Sequence, residues 1–251
     1  MDPRGRAGGA NRLGLPAGIR ACLFDLDGVL TQTATVHRAA WKDTFDPILA
    51  AHGLPPFADA DYARYVDGKP RRDGVRDFLA SRGIHPAEGD PGDPGDSDTI
   101  AGIGNRKNAL VLTRLNTDGV EVFDGSVAYL RAVRAAGLRT AVVTASANAE
   151  AVVLAAGLQD LVEARVDGVL AARAGLAGKP APDTFLAAAV ALGAEPSEAA
   201  VFEDALAGVA AGRAGGFGWV VGVDRVGQAA ELREHGADIV VADLSELMEV
   251  P

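Results

Sequence analysis

The sequence predicts an α/β fold, with a Rossmann-like parallel-sheet core and an inserted α-helical domain. After Phe123, short aliphatic runs alternate with helical patterns, an order typical of parallel strands covered by helices on both faces. A further aliphatic run lies near residue 20, and the region between it and Phe123 has helical periodicity without strand-like runs. With 251 residues, 48 % of them hydrophobic, the chain is long enough for a core domain with an insert.

The predicted strands are short apolar runs bounded by polar or turn residues. The first covers residues 19–26 (IRACLFDL) and is closed by Asp27-Gly28. The later strands cover residues 139–144, 199–202, 219–223 and 237–241, and the helices between them cover residues 126–136, 149–156, 183–192, 205–214 and 228–235. We expect the strands to form one sheet, which would bind ligands beyond the carboxyl ends of its strands.

The inserted helical domain is predicted for residues 34–117, and the core domain for residues 19–33 and 118–251. Apolar residues recur at helical spacing in segments 34–51, 72–81 and 105–115. Residues 85–98 (HPAEGDPGDPGDSD) are rich in Gly, Pro and Asp, which predicts a surface loop. Residues 1–18 lack the apolar block of a signal peptide and are predicted to form a flexible tail.

The charge balance and the single cysteine argue against several classes of protein. A net charge of −10 and a pI near 4.9 disfavour a nucleic-acid-binding protein, which needs a basic face. No run approaches the ~18 consecutive apolar residues of a membrane span. Cys22 is the single cysteine, which excludes an internal disulfide and fits a reducing compartment. We expect a cytoplasmic protein with no nucleic-acid or membrane partner, and a monomer rather than an obligate oligomer.

Two carboxylates follow the first predicted strand, at Asp25 and Asp27 in the segment FDLDGVLT. Because ligands bind beyond the carboxyl ends of parallel strands, we expect both side chains in the binding crevice. The pattern Asp-x-Asp-Gly alone is weak evidence, since it also occurs in turns and in calcium-binding loops. Its place between an apolar strand and a helical insert makes the pattern more specific.

With these residues the chain resembles the haloacid dehalogenase superfamily of phosphohydrolases and phosphomutases. Three further motifs follow in the family's order, each after a predicted strand or in a loop. They are Thr144-Ala145-Ser146, which resembles the hydroxyl motif, Lys179 in the sequence KPAPD, which resembles the lysine motif, and Glu203-Asp204, which resembles the acidic pair. The resemblance implies that the helical insert is a cap domain.

The resemblance gives each motif a role that its chemistry supports. Asp25 is expected to attack phosphorus and to carry the phosphoryl group as an acyl phosphate, and Asp27 to act as general acid and base. Lys179 and Thr144 are expected to contact the phosphoryl oxygens. Taken singly, each residue has a plainer interpretation as a turn residue or a solvated charge. Together the motifs favour catalysis.

Mg²⁺ is the expected cofactor, because a cation must lie between an anionic nucleophile and an anionic phosphate. This ion takes oxygen ligands and is commonly held by one or two carboxylates together with substrate phosphate. We expect the side chains of Asp25 and Asp204 as ligands, with Glu203 near the site. The resemblance implies the backbone carbonyl of Asp27 as a further ligand.

The helical domain carries a narrower resemblance, to β-phosphoglucomutases and related sugar-phosphate enzymes. His37 and Trp41 lie four residues apart on one predicted helical face, where these enzymes have a His and a Trp near the reacting centre. Gly68 and Arg71, in the sequence GKPR, resemble the loop that meets the sugar phosphate, and Lys107, in RKN, resembles a pocket residue. The plainer interpretations are core packing for the His–Trp pair and solvated surface charges for the two cations.

The resemblance also implies a site for the phosphate that is not transferred. Ser146 and Asn148 are expected to help Arg71 hold it. The sequence departs from the pattern at Gln32, where relatives often have Asp, and at Ala147, where the mutase has lysine. The second departure removes one cation from this site and leaves room for another substrate.

Three functions remain open at this point. The leading hypothesis is a β-phosphoglucomutase-type interconversion of β-glucose 1-phosphate and glucose 6-phosphate through phospho-Asp25. The alternative is a phosphatase of small sugar phosphates on the same fold, in which water attacks phospho-Asp25. A non-catalytic sugar-phosphate-binding protein is disfavoured, because a binding protein needs no nucleophile. In each case the partner is a small phosphorylated sugar.

Overall fold

A parallel sheet forms the core of the protein, of which the computed structural model describes residues 11–248. Within these residues the strands are Ala21–Phe24 (β1), Arg139–Val143 (β2), Ala164–Val166 (β3), Ala199–Glu203 (β4), Trp219–Val223 (β5) and Ile239–Val241 (β6). Their spatial order is β3-β2-β1-β4-β5-β6, and every neighbouring pair is parallel. The predicted α/β fold with a parallel-sheet core is confirmed.

Helices precede, separate and follow the strands. The α-helices are Thr33–Ala51 (α1), Arg71–Ser81 (α2), Ile100–Asp118 (α3), Asp124–Ala135 (α4), Ala149–Ala155 (α5), Gly168–Ala174 (α6), Asp183–Ala191 (α7), Leu206–Ala214 (α8) and Ala229–Glu234 (α9). A short helical segment, Asp59–Asp61 followed by Tyr62–Val66, lies between α1 and α2. Single 3₁₀ turns are found at Asn11–Leu13, Gln159–Leu161, Pro196–Glu198 and Leu244–Met248.

The central strands are apolar because both faces of the sheet are covered. Every side chain of β1 and of β4 is buried. Phe24 and Phe202, on adjacent strands, stack with ring centroids 4.5 Å apart, and burying each such ring contributes roughly 1.5–3 kcal/mol. The register sets Phe24 beside both Val142 and Phe202. The residues that follow these three strands therefore meet at one edge of the sheet.

The edge strand β3 and the helix α6 are not predicted by the sequence. β3 has three residues, and Arg165 interrupts its apolar character. It pairs with β2 through the register Val142↔Arg165. The strand therefore forms because the edge of β2 offers backbone hydrogen-bond partners. A run this short gives no periodicity from which a strand is predicted.

Two units divide the chain. The core unit comprises the described residues up to Gln32 and from Glu121 onwards, and the helical unit comprises Thr33–Val120. The helical unit includes the predicted insert, residues 34–117, and contains helices without any strand. Its interior is aromatic: the centre of the Phe78 ring lies 4.4 Å from the centre of the Phe45 ring and 4.9 Å from the centre of the Phe57 ring.

The predicted surface loop at residues 85–98 contains no helix or strand. Glu88 anchors it to α2, since Arg76 Nε donates a hydrogen bond to its carboxylate at 2.7 Å. Helix α3 begins earlier than the sequence pattern predicts, at Ile100, because the Thr99 hydroxyl oxygen caps the Gly102 amide at 3.0 Å.

The predicted flexible tail, residues 1–18, is wrong in its second half. Residues 1–10 lie outside the described residues. Leu13 and Leu15 are buried, and the Tyr129 hydroxyl donates a 2.8 Å hydrogen bond to the Leu13 carbonyl. Gly and Arg dominate the composition of residues 1–18, which favours a flexible tail. The composition does not reveal that Leu13 and Leu15 are buried.

Within residues 11–248, each helix is too short or too polar to span a lipid bilayer.

Tyr129→Phe tests whether the segment around Leu13 contributes to stability. The substitution removes the hydroxyl and leaves the buried Leu13 carbonyl without its donor, which we expect to lower the free energy of unfolding by about 1–3 kcal/mol. Urea unfolding measures the change. Tyr65→Phe is the matched control, because the Tyr65 hydroxyl makes no hydrogen bond with the described residues. Equal stabilities of the two variants would contradict the expected anchoring.

Candidate active site

The loop after β1 is held by its own backbone and by β4. The Asp25 amide donates to the Phe202 carbonyl at 2.9 Å, which extends the sheet by one residue. Beyond it the chain turns: the Gly28 amide donates to the Thr31 carbonyl at 2.7 Å, and the Thr31 hydroxyl donates to the Leu26 carbonyl at 3.0 Å. Gly28 has φ +95°, a conformation that favours glycine. The loop therefore holds Asp25 and Asp27 at the carboxyl edge of the sheet.

Lys179 joins the loop after β1 to the end of β4. Its Nζ lies 2.5 Å from Asp25 Oδ1 and 2.5 Å from Glu203 Oε1, and it donates to the Val143 carbonyl at 3.1 Å. The three charged side chains are buried. Glu203 is fixed on its other side, where Oε2 accepts from the Ala205 amide at 2.9 Å. The cluster unites a carboxylate, an ammonium and a second carboxylate from distant parts of the chain.

Burial and mutual attraction act against each other in this cluster. Burial raises the pKa of Asp25, the Lys179 ammonium opposes that rise, and the carboxylates of Glu203 and Asp27 add to it. Burial alone would lower the pKa of Lys179, but the carboxylates of Asp25 and Glu203 outweigh it and raise that pKa. Lys179 is therefore charged at neutral pH. A single cation therefore faces two buried carboxyl groups.

The hydroxyl loop after β2 approaches Asp27. Thr144 Oγ1 donates to Asp27 Oδ2 at 3.1 Å. The Ser146 amide donates to the Thr144 hydroxyl oxygen at 3.0 Å, and the Asn148 amide to the Ser146 hydroxyl oxygen at 3.2 Å. Two successive side-chain oxygens thus fold the loop back on itself, as serine and threonine turns do.

Helix α6 supports the hydroxyl loop from the other side. The Gly168 amide donates to the Ser146 carbonyl at 3.0 Å. A Cβ at Gly168 would lie 2.5 Å from the Ala145 carbonyl oxygen, so the close approach requires glycine. The predicted residues Ala145 and Ser146 therefore contact α6, which the sequence does not predict.

Asp204 lies directly against the loop after β1. A Cβ built on Gly28 would be 1.8 Å from Asp204 Oδ2. The Asp204 backbone carbonyl accepts a 2.9 Å hydrogen bond from Gln228 Nε2. Asp25, Glu203 and Asp204 are therefore gathered at one edge of the sheet, together with Asp27.

The chemistry of this edge fits a divalent cation with oxygen ligands. Asp25 and Asp204 are both buried, and a buried carboxylate needs a cation or hydrogen-bond donors. Within residues 11–248, no three or more His, Cys, Asp or Glu side chains form a complete metal cluster. A cation here would take its remaining ligands from backbone carbonyls or substrate, as Mg²⁺ commonly does.

In the helical unit, the predicted residues of α1 and α3 lie together. Lys107 is buried, its Nζ lies 2.8 Å from His37 Nδ1, and it lies 4.8 Å from the centre of the Trp41 ring. Trp41 also stacks on Phe45 at 5.0 Å. Trp41 thus contributes to core packing, which was the plainer interpretation of the His–Trp pair. Lys107 is buried, so the interpretation as a solvated surface charge is wrong for this residue.

Arg71 opens α2 and is largely withdrawn from water. Its Nη2 donates to Asn105 Oδ1 at 3.2 Å, and burial lowers the pKa of its guanidinium. Among the described residues, no carboxylate forms an ion pair with Arg71, whereas the adjacent Arg72 pairs with Glu88. Gly68, at φ +67°, forms the turn that precedes α2. Within residues 11–248, no acidic side chain therefore neutralises the charge of Arg71.

Sequence reasoning missed two residues that contact this edge. Arg225 Nε donates to the Gly28 carbonyl at 2.9 Å, and Gln228 donates to Asp204 as described. Both follow β5, whose carboxyl end lies at the same edge of the sheet as those of β1 and β4. That position is the signal that the sequence offers for them, and their contacts come from tertiary structure.

Comparisons with known proteins show the family to which the chain belongs. A family model described as haloacid dehalogenase-like hydrolase matches residues 19–216. The chain is 56 % identical over 246 residues to the β-phosphoglucomutases of Mycobacterium bovis and Mycobacterium tuberculosis, and each match covers 94 % of this chain and 94 % of the relative. The resemblance found in the sequence is confirmed.

A third curated relative and a solved structure extend the comparison. The chain is 28 % identical over 230 residues to the validoxylamine A 7′-phosphate phosphatase of Streptomyces hygroscopicus subsp. limoneus, covering 91 % of this chain and 95 % of that protein. The crystal structure of β-phosphoglucomutase from Clostridium difficile matches with a TM-score of 0.73 at 25 % identity, covering 91 % of this chain and 93 % of that one. Mutases and a phosphatase are both among the similar proteins.

Lys179→Met tests whether this cation holds the core together. The substitution leaves Asp25 and Glu203 buried side by side without their shared ammonium, which we expect to lower the free energy of unfolding by about 3–5 kcal/mol. Lys69→Met is the control: it breaks a partly exposed pair with Asp77, expected to contribute at most ~1 kcal/mol.

Urea unfolding of both variants, of Glu203→Gln and of the double variant Lys179→Met/Glu203→Gln measures the effect. The second substitution removes one of the two facing charges, so it should recover part of the lost stability, and a double-mutant cycle isolates the coupling. Equal losses in the Lys179 and Lys69 variants would show that the buried cluster is not coupled as described.

Proposed function

The chain belongs to the haloacid dehalogenase-like hydrolase family, and from that premise we propose that it is a phosphomutase interconverting β-glucose 1-phosphate and glucose 6-phosphate. The observation that carries the proposal is the buried contact of Lys179 with both Asp25 and Glu203. A phosphoryl group transferred to Asp25 would lie beside this ammonium, which stabilises its charge. The choice of a glucose phosphomutase is supported by the two mycobacterial relatives.

Asp25 is the nucleophile of the proposed reaction. Its carboxylate oxygen attacks phosphorus, the bond from phosphorus to the donor oxygen breaks, and an aspartyl phosphate results. In the return step the hydroxyl of a hexose phosphate takes the phosphoryl group from Asp25. A hexose bisphosphate therefore links the two halves of the cycle.

Asp27 is the proposed general acid and base. It protonates the leaving oxygen in the first step and takes the proton of the attacking hydroxyl in the second. The Thr144 hydroxyl, at 3.1 Å from Asp27 Oδ2, orients that carboxyl group. Thr144 thus has a second candidate role besides the contact with phosphate that the family resemblance implies.

Mg²⁺ is the proposed cofactor. The side chains of Asp25 and Asp204 and the backbone carbonyl of Asp27 would hold it, with Glu203 beside the site. When bound, it supplies the positive charge that lets an anionic carboxylate approach an anionic phosphate. The position of the Asp25, Glu203 and Asp204 carboxyl groups at one edge of the sheet supports this assignment.

The helical unit supplies the proposed contacts to the sugar phosphate. Lys107 and His37 form one polar pair on the Trp41 ring. Arg71 is the proposed ligand of the phosphate that is not transferred, because a guanidinium binds phosphate through two parallel hydrogen bonds. Ser146 and Asn148, and the turn at Gly68, are proposed to assist it.

A phosphatase is the second candidate. It is favoured by Ala147, which stands where the mutase has a lysine, and by the phosphatase among the relatives. The cytoplasmic location and the monomeric state expected from the sequence remain predictions.

Asp25→Asn tests the covalent mechanism. The amide keeps the shape of the side chain but is not an anionic nucleophile, so turnover should fall to background. Asp27→Asn is the comparison: it keeps Asp25 and loses proton transfer, which is typically worth ~10²–10⁴-fold. Trifluoroberyllate binding, followed by ¹⁹F NMR, should persist in Asp27→Asn and vanish in Asp25→Asn. An active Asp25→Asn enzyme would rule out the aspartyl phosphate.

Arg71→Ala tests the mutase against the phosphatase. With β-glucose 1-phosphate, Mg²⁺ and a trace of bisphosphate, we expect glucose 6-phosphate to form faster than free phosphate in the wild type. Loss of the Arg71 contact should lower kcat/KM for isomerisation on the order of 10- to 100-fold, the equivalent of ~1.5–3 kcal/mol for hydrogen bonds to a charged group. Hydrolysis of acetyl phosphate, which lacks a second phosphate, should change little.

Arg72→Ala is the matched control on the same helix, since its guanidinium binds Glu88 in the surface loop. It should leave both reactions intact. If wild-type protein releases phosphate faster than it isomerises any of several hexose phosphates, the phosphatase is the correct function.

A further inference from the structure

The loop that follows β5, residues 224–228, contacts two acidic segments of the site: the loop after β1, with Asp25 and Asp27, and the residues Glu203-Asp204 at the end of β4. The loop is itself closed by hydrogen bonds. Asp224 Oδ1 accepts from the amides of Gly227 at 2.7 Å and Gln228 at 2.8 Å. This arrangement fixes the backbone from which Arg225 and Gln228 project. The two side chains are therefore held at their base by a turn that is independent of the residues they contact.

Arg225 binds the loop that carries Asp25 and Asp27. Its Nε donates to the Gly28 carbonyl at 2.9 Å and its Nη2 to the Val29 carbonyl at 3.4 Å. The guanidinium is mostly buried and lies 3.6 Å from the centre of the Phe123 ring, a cation–π contact.

The remaining donors of Arg225 tie it to the core. Nη1 donates to the Ala242 carbonyl at 2.8 Å, and Nη2 to the Ser126 hydroxyl oxygen at 3.1 Å. The nearest acidic contact, Asp243 Oδ2, is at 3.4 Å. The short hydrogen bonds of this guanidinium thus go to neutral oxygens, and a planar fork with five donors is needed to reach them all.

Gln228 binds the other acidic segment. Its Nε2 donates to the Asp204 carbonyl at 2.9 Å. One loop of five residues thus holds the backbone of residue 28 through Arg225 and the backbone of residue 204 through Gln228.

These two backbone positions set the spacing of the carboxylates. The backbone of Gly28 abuts the Asp204 carboxylate so closely that a Cβ there would lie 1.8 Å from Oδ2. A shift of either segment by a few tenths of an ångström would change the separation between the Asp27 carbonyl and the Asp204 side chain. Cation affinity depends steeply on such separations, because Mg²⁺ demands near-ideal geometry.

We propose that Arg225 and Gln228 are positioning residues, which hold the loop after β1 and the loop after β4 at the separation that Mg²⁺ requires. Their described hydrogen bonds do not go to the Asp25 carboxylate, and they act through the backbones of Gly28 and Asp204. The inference rests on the proposed function, since it assigns a purpose to the spacing of the proposed ligands. Residues that orient metal ligands in this way typically change affinity or activity by 10- to 100-fold when substituted.

The test measures Mg²⁺ binding without substrate. Isothermal titration of Mg²⁺ alone into the full chain compares wild type with Arg225→Met, Arg225→Lys and Gln228→Met. We expect the dissociation constant to rise about 10- to 100-fold for Arg225→Met and Gln228→Met. Arg225→Lys should lie in between, since an ammonium can reach the Gly28 carbonyl but not the full set of acceptors.

Arg233→Met, on helix α9, is the matched control. This exposed guanidinium donates within its own helix, to the Ala229 carbonyl, so Mg²⁺ affinity should equal that of the wild type. Urea unfolding in the presence of EDTA reports the stability of each variant without metal. Should Arg225→Met fail to fold, Arg225→Lys and Gln228→Met still decide the question.

The outcomes separate the two proposals. If the Arg225 and Gln228 variants lose stability but bind Mg²⁺ as the wild type does, the loop is a structural brace and the positioning role is overturned. If the wild type binds no Mg²⁺ and takes no trifluoroberyllate on Asp25, the proposed function itself is overturned. A selective loss of Mg²⁺ affinity, with stability in EDTA preserved in Gln228→Met, supports the positioning role.

Discussion

The shared contact of Lys179 with Asp25 and Glu203 is the interaction on which the rest of the site depends. Two carboxylates buried side by side are unfavourable unless a cation neutralises part of their charge. Here one ammonium lies 2.5 Å from each, and its third contact is the carbonyl of Val143, the last residue of β2. A single side chain therefore ties together the ends of three strands, β1, β2 and β4. Stability and charge balance at the catalytic edge depend on the same group.

Parallel register explains how residues so far apart in sequence reach that group. Asp25 and Lys179 are separated by 154 residues. Because β1 pairs with β2 on one side and β4 on the other, Phe24 is level with Val142 and Phe202. Asp25, Thr144 and Asp204 follow the three strands, whose residues are buried with the exception of Arg139. Hydrophobic burial thus fixes the positions of the strands, and the buried polar side chains of the site lie where the apolar strands end.

The sequence predicted the residues whose pattern is local, and missed those defined by tertiary contact. Asp25, Thr144 and Glu203 each follow an aliphatic run, so a strand and the polar residue after it are visible together. Arg225 also follows a strand, but nothing in the sequence distinguishes a single arginine in a loop from an ordinary surface arginine. Its contacts with Gly28 and Phe123 come from other elements. Likewise β3 forms because it can pair with the backbone of β2. Three residues are too few to show a periodicity that predicts a strand.

The segments that lead into the helical unit and back are part of the same hydrogen-bonded arrangement. The Phe123 amide donates to the Leu30 carbonyl at 3.0 Å, and the Gln32 amide to the Glu121 carbonyl at 2.9 Å, so the outgoing and returning chains pair within the core unit. Arg225 lies on the Phe123 ring and also holds Gly28 and Val29. The loop with Asp25 and Asp27 is thereby fixed on both sides by core residues. The described hydrogen bonds of Asp25 go to Phe202 and Lys179, so they too come from core residues.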